Sequence, residues 1–334
     1  MSKIKPAKGS PYARIMGVGG YRPVRVVPNE VILETIDSSD EWIRSRSGIA
    51  TRHWASPQET VAAMSVEASG KALAAAGIAP EKIGAVIVST VSHFKQTPAV
   101  ATEIAHRIGA GKPAAFDISA GCAGFGYGLT LAKGLVVEGS AEYVLVIGVE
   151  RLSDLTDLED RATAFLFGDG AGAVVVGPSD EPAIGPSVWG SEGDKSETIK
   201  QTVPWDEYRS TDSAEKFPAI TQEGQAVFRW AVFEMAKVAQ QALDAAGITA
   251  DDLDVFIPHQ ANMRIIDSMV KTLKLPEHVT VARDVETTGN TSAASIPLAM
   301  ERLLATGAAK SGDTALVIGF GAGLVYAATV VTLP

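Results

Sequence analysis

The stretches "KALAAAGIAPEKIGAVIV" (71–88) and "QALDAAGITADDLDVFIP" (241–258) superpose at an offset of 170 residues, placing Ala76 on Ala246. In each, an alanine-rich helical run stops at a glycine, Gly77 or Gly247, the residue best suited to a left-handed C-cap. A short acidic turn follows, then an apolar run that reads as a buried strand. The echo continues downstream. "LVIG" recurs at 145–148 and 316–319, and "GAG" at 170–172 and 321–323, each "GAG" leading into another apolar strand. The offset falls from 171 to 151 between those pairs, which assigns about twenty extra residues to the first half, around "ERLSDLTDLEDRATAFLFGD". Gly121-Cys122 falls on Gly289-Asn290 at an offset of 168, and Leu135 and Gly139 fall on Leu303 and Gly307 at the same offset. Cys122 and Asn290 therefore hold corresponding places in two copies of one unit.

Each copy alternates strands such as "GAVIVST", "AAFDIS" and "YVLVIG" with helical stretches such as "TPAVATEIAHRIG". That alternation predicts an α/β protein with right-handed crossovers and mainly parallel sheets covered on both faces by helices. Two such layered halves, packed about a pseudo-twofold, bring positions 122 and 290 toward a shared interface. The expected division is a flexible arm at 1–12, a first half at 13–178 and a second at 179–334, joined through the Pro/Gly-rich "GPSDEPAIGPS" at 177–187. A surface excursion is expected at 200–218, followed by a long helix over 223–245.

Composition narrows the class. Of the 334 residues 46% are hydrophobic and 20% charged, with a net charge of −10, a globular profile that argues against nucleic acid as partner. A single cysteine forms no internal disulfide and points to a reducing, cytoplasmic setting. The basic start lacks the apolar core of a secretory signal, and no apolar run reaches the ~18 residues of a membrane span. One local basic cluster, "EWIRSRSGIATRHW" (41–54), sets Arg44, Arg46, Arg52 and His53 around Trp42 and Trp54. It reads either as a solvated turn or as an anion-binding face.

"DISAGCAGFGYG" (117–128) holds Cys122 in a strand–turn–helix elbow stripped of side-chain bulk. At a helix N-terminus, backbone N–H groups and the helix dipole favour a thiolate and can receive an oxyanion. A free cysteine is otherwise a small buried hydrophobe, and the elbow alone leaves both readings open. His259 ends the strand "LDVFIPH" just before the helical "QANMRII", where α/β sheets present ligand-binding groups. His106 and His278 read as surface residues. Asn290, in "TTGNTSAAS", suits an N-cap as well as a site role. No set of metal ligands clusters, and "GFGAG" (319–323) leads into a strand, so it is a turn or an oxyanion loop and not a dinucleotide fingerprint.

Together "SAGCAGFGYGL", "PHQAN" and "GNTSAAS" closely resemble the three active-site motifs of the beta-ketoacyl-acyl-carrier-protein synthase III family, initiating enzymes of type II fatty acid synthesis. The likeness runs from Ala13 to the C-terminus and implies the thiolase fold, two duplicated halves in αβαβα layers. It also implies a decarboxylative Claisen condensation of an acyl-coenzyme A primer with malonyl-acyl-carrier protein, without cofactor or metal, in a homodimer. By this resemblance Cys122 carries the acyl group, and His259 and Asn290 hydrogen-bond the enolate. The backbone N–H groups of Cys122 and Ala322 form the oxyanion hole. Trp42, Arg46, Arg161 and Asn262 receive coenzyme A and its pantetheine arm. The segment Gln260, Ala261, Asn262, Met263 and Arg264 receives the carrier protein, helped by Lys271 and Lys274. Leu152 and Phe167 line the acyl pocket, with Thr97 contributed by the partner subunit. Thr288 stands where many members have histidine, and no chemistry is expected of it. Rival readings are a polyketide-priming or hydroxymethylglutaryl-type synthase, a thiol acyl-coenzyme A hydrolase, and a non-catalytic partner subunit.

Overall fold

The computed structural model describes residues 4–5, 7–210 and 216–334; parts of the expected arm (1–3 and 6) and of the expected excursion (211–215) lie outside them. The first half runs β1 (Tyr12–Tyr21), α1 (Asp40–Ser47), α2 (Val61–Ala76), β2 (Ile83–Ser89), α3 (Val100–Arg107), β3 (Ala114–Ile118), α4 (Gly124–Glu138), β4 (Tyr143–Arg151) and β5 (Asp169–Ser179). The second runs β6 (Val188–Ser191), α5 (Gly224–Phe233), α6 (Met235–Ala246), β7 (Val255–Pro258), α7 (Met263–Leu273), β8 (Thr280–Val281), α8 (Ser295–Thr306), β9 (Thr314–Gly321) and β10 (Val325–Thr332). The expected long helix at 223–245 is interrupted at Glu234, between α5 and α6. Ser10, within the expected arm, is tied down by its N–H to Val136 O and its hydroxyl to Ser179 O.

The repeat read from the sequence is a repeat in space. One sheet has the order β1-β5-β4-β2-β3 and the other β6-β10-β9-β7-β8. Pairings match element for element. β2 is parallel to β3 and β4, as β7 is to β8 and β9; β4–β5 and β5–β1 are antiparallel, as are β9–β10 and β10–β6. The sheets are thus half antiparallel, where mainly parallel ones were expected. The reason is local: β9 and β10 join through the tight turn 322–324, and β4 and β5 through a segment with no crossover helix, so each pair folds back on itself. The C-caps repeat as well. Gly77 (φ 65°) bonds Ala74 O and Leu73 O, and Gly247 (φ 71°) bonds Asp244 O and Leu243 O.

Alternation along the strands separates three packed layers of side chains. Ile87, Val146, Ile257 and Val317 meet α4 and α8 in the middle; Val86, Leu145 and Ile147 face α2 and α3 outside; Leu316 and Ile318 face α6 and α7 on the other side. The five layers are helix, sheet, helix pair, sheet, helix. Phe125 and Leu129 of α4 are fully buried in the central layer, each worth ~1.5–3 kcal/mol relative to exposure. The inserted segment builds a fourth cluster, in which Leu152, Phe165 and Phe167 pack with Ile43 of α1 and Met263 and Ile266 of α7. The buried Arg52 guanidinium locks that cluster, donating to Phe165 O, Asn29 Oδ1 and Val27 O. It is structural, not a free anion receptor.

Candidate active site

The two central helices begin at equivalent places. A single turn, Gly121–Ala123, precedes α4 and carries Cys122; the turn Ser292–Ala294 precedes α8, two residues after Asn290. These turns pack on one another, the second also on β4 and the first on β9, and glycine permits the approach. A Cβ on Gly148 would sit 2.0 Å from Ala293 O, and one on Gly321 would lie 2.9 Å from Cys122 Sγ. Gly121 adopts φ 46°, and a Cβ there would be 3.3 Å from Ala322 N. The Ala322 N–H therefore lies beside the nucleophile's turn, as an oxyanion donor requires.

Asn290 is held at both ends of its backbone. Its N–H donates to Leu166 O at 2.8 Å and its carbonyl accepts from Gly168 N–H at 3.0 Å. The side-chain Oδ1 accepts from Ser292 N–H at 2.9 Å. That bond fixes the amide so that its NH2 group is the free, donating end. His259 follows β7 directly; its N–H bonds Ile318 O of β9 at 2.7 Å, its Nδ1 lies 2.7 Å from Ser295 Oγ, and its ring stands edge-on to Phe320. Burial drives the imidazole pKa down to about 3, so His259 is neutral at physiological pH.

Burial also pushes the Cys122 thiol up to about 12, outweighing the downward pull of Ser292; the Glu150 carboxylate raises it further. The helix start acts the other way, by up to about 2 kcal/mol for a partly buried group. Burial at the cavity wall thus opposes the thiolate that the helix start favours.

A cavity of ≈ 720 Å³ is walled by Cys122, Asn290, His259 and Ala322 together with Leu152 and Phe167. The nucleophile comes from the first half of the chain, and histidine and asparagine from the second. Trp42, Arg46, Arg161 and Asn262 lie outside its wall. The first three form a cluster of their own, with Arg161 and Arg46 at 5.1 and 5.9 Å from the Trp42 ring centre. Asn262 caps α7, accepting from Arg264 N–H, and donates to Arg46 O, which joins this cluster to the segment after His259. Thr97 is exposed and stands outside the wall of its own chain's cavity, while neighbouring Gln96 and Ala99 line it.

The expected docking segment needs revision. Gln260 is buried, its amide donating to Pro258 O and Ala282 O and accepting from Val285 N–H. Met263 is buried in the cluster built by the inserted segment. Neither can meet a partner; Arg264, Lys271 and Lys274 are exposed and can. Thr288 is buried and accepts hydrogen bonds from Arg22 and Arg302. Sequence reading passed over Ser292, Ser295 and Glu150. Glu150 is a fully buried carboxyl on β4, two positions beyond Gly148, and nothing in "VIGVER" announces it. Among the described residues no group of histidine, cysteine or acidic side chains could hold a metal ion, and no helix is long and apolar enough to cross a membrane.

Two family descriptions match the chain: 3-oxoacyl-[acyl-carrier-protein] synthase III over residues 116–193, and the C-terminal part of the same family over 243–333. The chain is 86% identical to beta-ketoacyl-[acyl-carrier-protein] synthase III 1 of Streptomyces coelicolor, over the whole of both sequences. It is 87% identical to the corresponding synthase III of Streptomyces glaucescens, again over both whole sequences. Among solved structures, the priming beta-ketosynthase of the R1128 polyketide biosynthetic pathway superposes with a TM-score of 0.97 at 47% identity, covering 100% of this chain and 99% of that one.

Proposed function

This chain belongs to the beta-ketoacyl-[acyl-carrier-protein] synthase III family and is an acyltransferase that condenses an acyl-coenzyme A primer with malonyl-acyl-carrier protein; we propose that Cys122 carries the acyl group and that His259 and Asn290 govern decarboxylation. One observation carries the assignment: a single cavity is walled by all three side chains, drawn from opposite halves of the fold.

In the first half-reaction the Cys122 sulfur attacks the primer thioester, and its proton ends on the departing sulfur, which leaves as free coenzyme A. The oxyanion rests between the N–H groups of Cys122 and Ala322. In the second, malonyl-carrier protein loses carbon dioxide, and the resulting enolate oxygen receives hydrogen bonds from Asn290 Nδ2 and His259 Nε2. Its carbon then attacks the acyl group, releasing 3-oxoacyl-carrier protein and the free sulfur. A neutral histidine suits this role, because it donates a hydrogen bond without surrendering a proton to the enolate. Trp42 with Arg46 and Arg161 is the face proposed for the nucleotide end of coenzyme A, and Asn262 the residue nearest its pantetheine arm. Arg264, Lys271 and Lys274 supply a basic docking face for the carrier protein, a local exception to a net charge of −10. A homodimer is proposed through β3, the edge strand of its sheet, whose Phe116 and Ile118 are only half-buried. The exposed loop around Thr97 would then reach the partner's cavity.

Intact-mass measurement after mixing with acyl-coenzyme A thioesters tests the assignment. A mass gain of one acyl group that disappears in Cys122→Ala is expected; acylation that survives the substitution would overturn it. The likeness to a polyketide-priming enzyme supports a second destination for the same chemistry. Comparing fatty acid and polyketide carrier proteins as malonyl donors separates the two.

A further inference from the structure

Ser295 opens α8 with its hydroxyl buried between two elements: the residue itself is 1% exposed and His259 is 2% exposed. Its Oγ accepts from Gln260 N–H at 3.3 Å and lies 2.7 Å from His259 Nδ1. A hydroxyl carries one hydrogen, and a buried donor left without an acceptor costs ~1–3 kcal/mol. Were Nδ1 protonated, Ser295 Oγ would receive two N–H groups and its own hydrogen would have nowhere to go. Helical serines commonly turn that hydrogen to the carbonyl four residues back, as Ser47 and Ser65 do here. Among the described residues Ser295 makes no such bond, so Nδ1 is its one acceptor. The other ring nitrogen, Nε2, has no protein partner among the described residues, yet it is not one of the sealed-in polar atoms that lack one. His259 lines the cavity, and with Nδ1 held by Ser295, Nε2 is the ring nitrogen left to meet a ligand there. Phe320, edge-on to the imidazole at 5.4 Å, limits rotation of the ring.

We propose that Ser295 is the positioning residue of the decarboxylation step: its hydroxyl donates to His259 Nδ1 and thereby fixes the imidazole proton on Nε2, where the enolate oxygen forms. No proton is transferred in this arrangement. The hydroxyl hydrogen stays on Ser295 and the Nε2 hydrogen stays on the ring, which is what separates a hydrogen-bond donor from a general acid. The catalytic consequence rests on the assignment of His259 proposed above; the tautomer itself does not.

Nitrogen NMR of histidine-labelled enzyme, with the His259 signals identified by their loss in His259→Gln, reads the tautomer directly. The wild-type enzyme is expected to show His259 as the Nε2–H form. Ser295→Ala should shift it toward the Nδ1–H form or a mixture, and Ser295→Thr should restore it. Decarboxylation of malonyl-carrier protein should then fall about 10- to 100-fold in kcat in Ser295→Ala, with KM and the rate of Cys122 acylation within about twofold of wild type. An Nδ1–H tautomer in the wild-type enzyme would overturn the proposal, and that measurement is decisive even if Ser295→Ala fails to fold. Unchanged decarboxylation in a Ser295→Ala enzyme would also overturn it. Should His259→Ala itself decarboxylate normally, the assignment of His259 fails, while the tautomer measurement still decides which way the Ser295 hydroxyl points.

Discussion

Cys122 sits at a helix start and is partly buried at the cavity wall, so dipole and desolvation pull its thiol in opposite directions. Because the thiol is held up at about 12, its alkylation by iodoacetamide is expected to speed up about tenfold per pH unit from pH 7 to 9 with no plateau. A plateau near neutrality would mean that the dipole wins. His259 behaves oppositely. Its pKa is depressed to about 3, so it keeps one protonation state across pH 5 to 8, and the contribution to decarboxylation proposed for it is expected to be flat over that range. Asn290 offers the clearest division of labour. With Oδ1 engaged by Ser292, only its NH2 group can serve a ligand. Asn290→Ala should still gain the acyl mass on Cys122 while decarboxylating about 100-fold more slowly; full decarboxylation in the variant would remove Asn290 from the enolate site.

Among the elements, β4 is where stability and site geometry meet. Its Glu150 carboxyl accepts from Ser92 Oγ at 2.6 Å, Thr90 Oγ1 at 3.2 Å and Val91 N–H at 3.1 Å. None of the groups that shift it among the described residues is a cation, and burial raises its pKa to about 7. The folded chain therefore binds this proton more tightly than the unfolded chain. The group's stabilising share is fully present below its ordinary value near 4.3 and is lost as pH rises through about 7. Glu150→Gln is expected to match the wild type in urea denaturation near pH 4 and to exceed it at pH 8 by on the order of 3 kcal/mol. Equal pH slopes for the two proteins would refute the account. On the same strand, Gly148→Ala would drive a methyl into Ala293 O. The loss should be about 1–3 kcal/mol, with decarboxylation impaired because the displaced turn carries Ser292, the residue that orients Asn290.

What the sequence discloses follows the same grain. Helix caps, apolar strands and their offsets are local features, so the duplication is visible in Gly77 and Gly247 from the order of residues alone. The half-antiparallel sheets are less legible, since nothing in β4 says that the next strand folds back without a helix. Residues whose roles depend on a neighbour distant in sequence escape altogether. Ser295 matters through His259, 36 positions away, and Gln260 reads as a surface residue until its amide is seen spent on Pro258, Ala282 and Val285.

At the scale of the whole molecule, a chain of net charge −10 would dock an acidic partner through a local basic face, and the exposed basic side chains on and just after α7 are the place proposed for it. Arg264→Glu is expected to raise KM for malonyl-carrier protein at least about tenfold, more so at low salt, and to leave acylation by acyl-coenzyme A untouched. An unchanged KM would place docking elsewhere. Light scattering should return twice the chain mass if β3 pairs across a twofold axis. The matched turns before α4 and α8 carry a consequence for ancestry. A single backbone niche, a tight bend feeding a central helix, occurs twice and is furnished differently, with sulfur in one copy and a carboxamide in the other. With the roles proposed for Cys122 and Asn290 neither copy could work alone, so the reaction would tie together two modules that a simple doubling leaves free to drift apart.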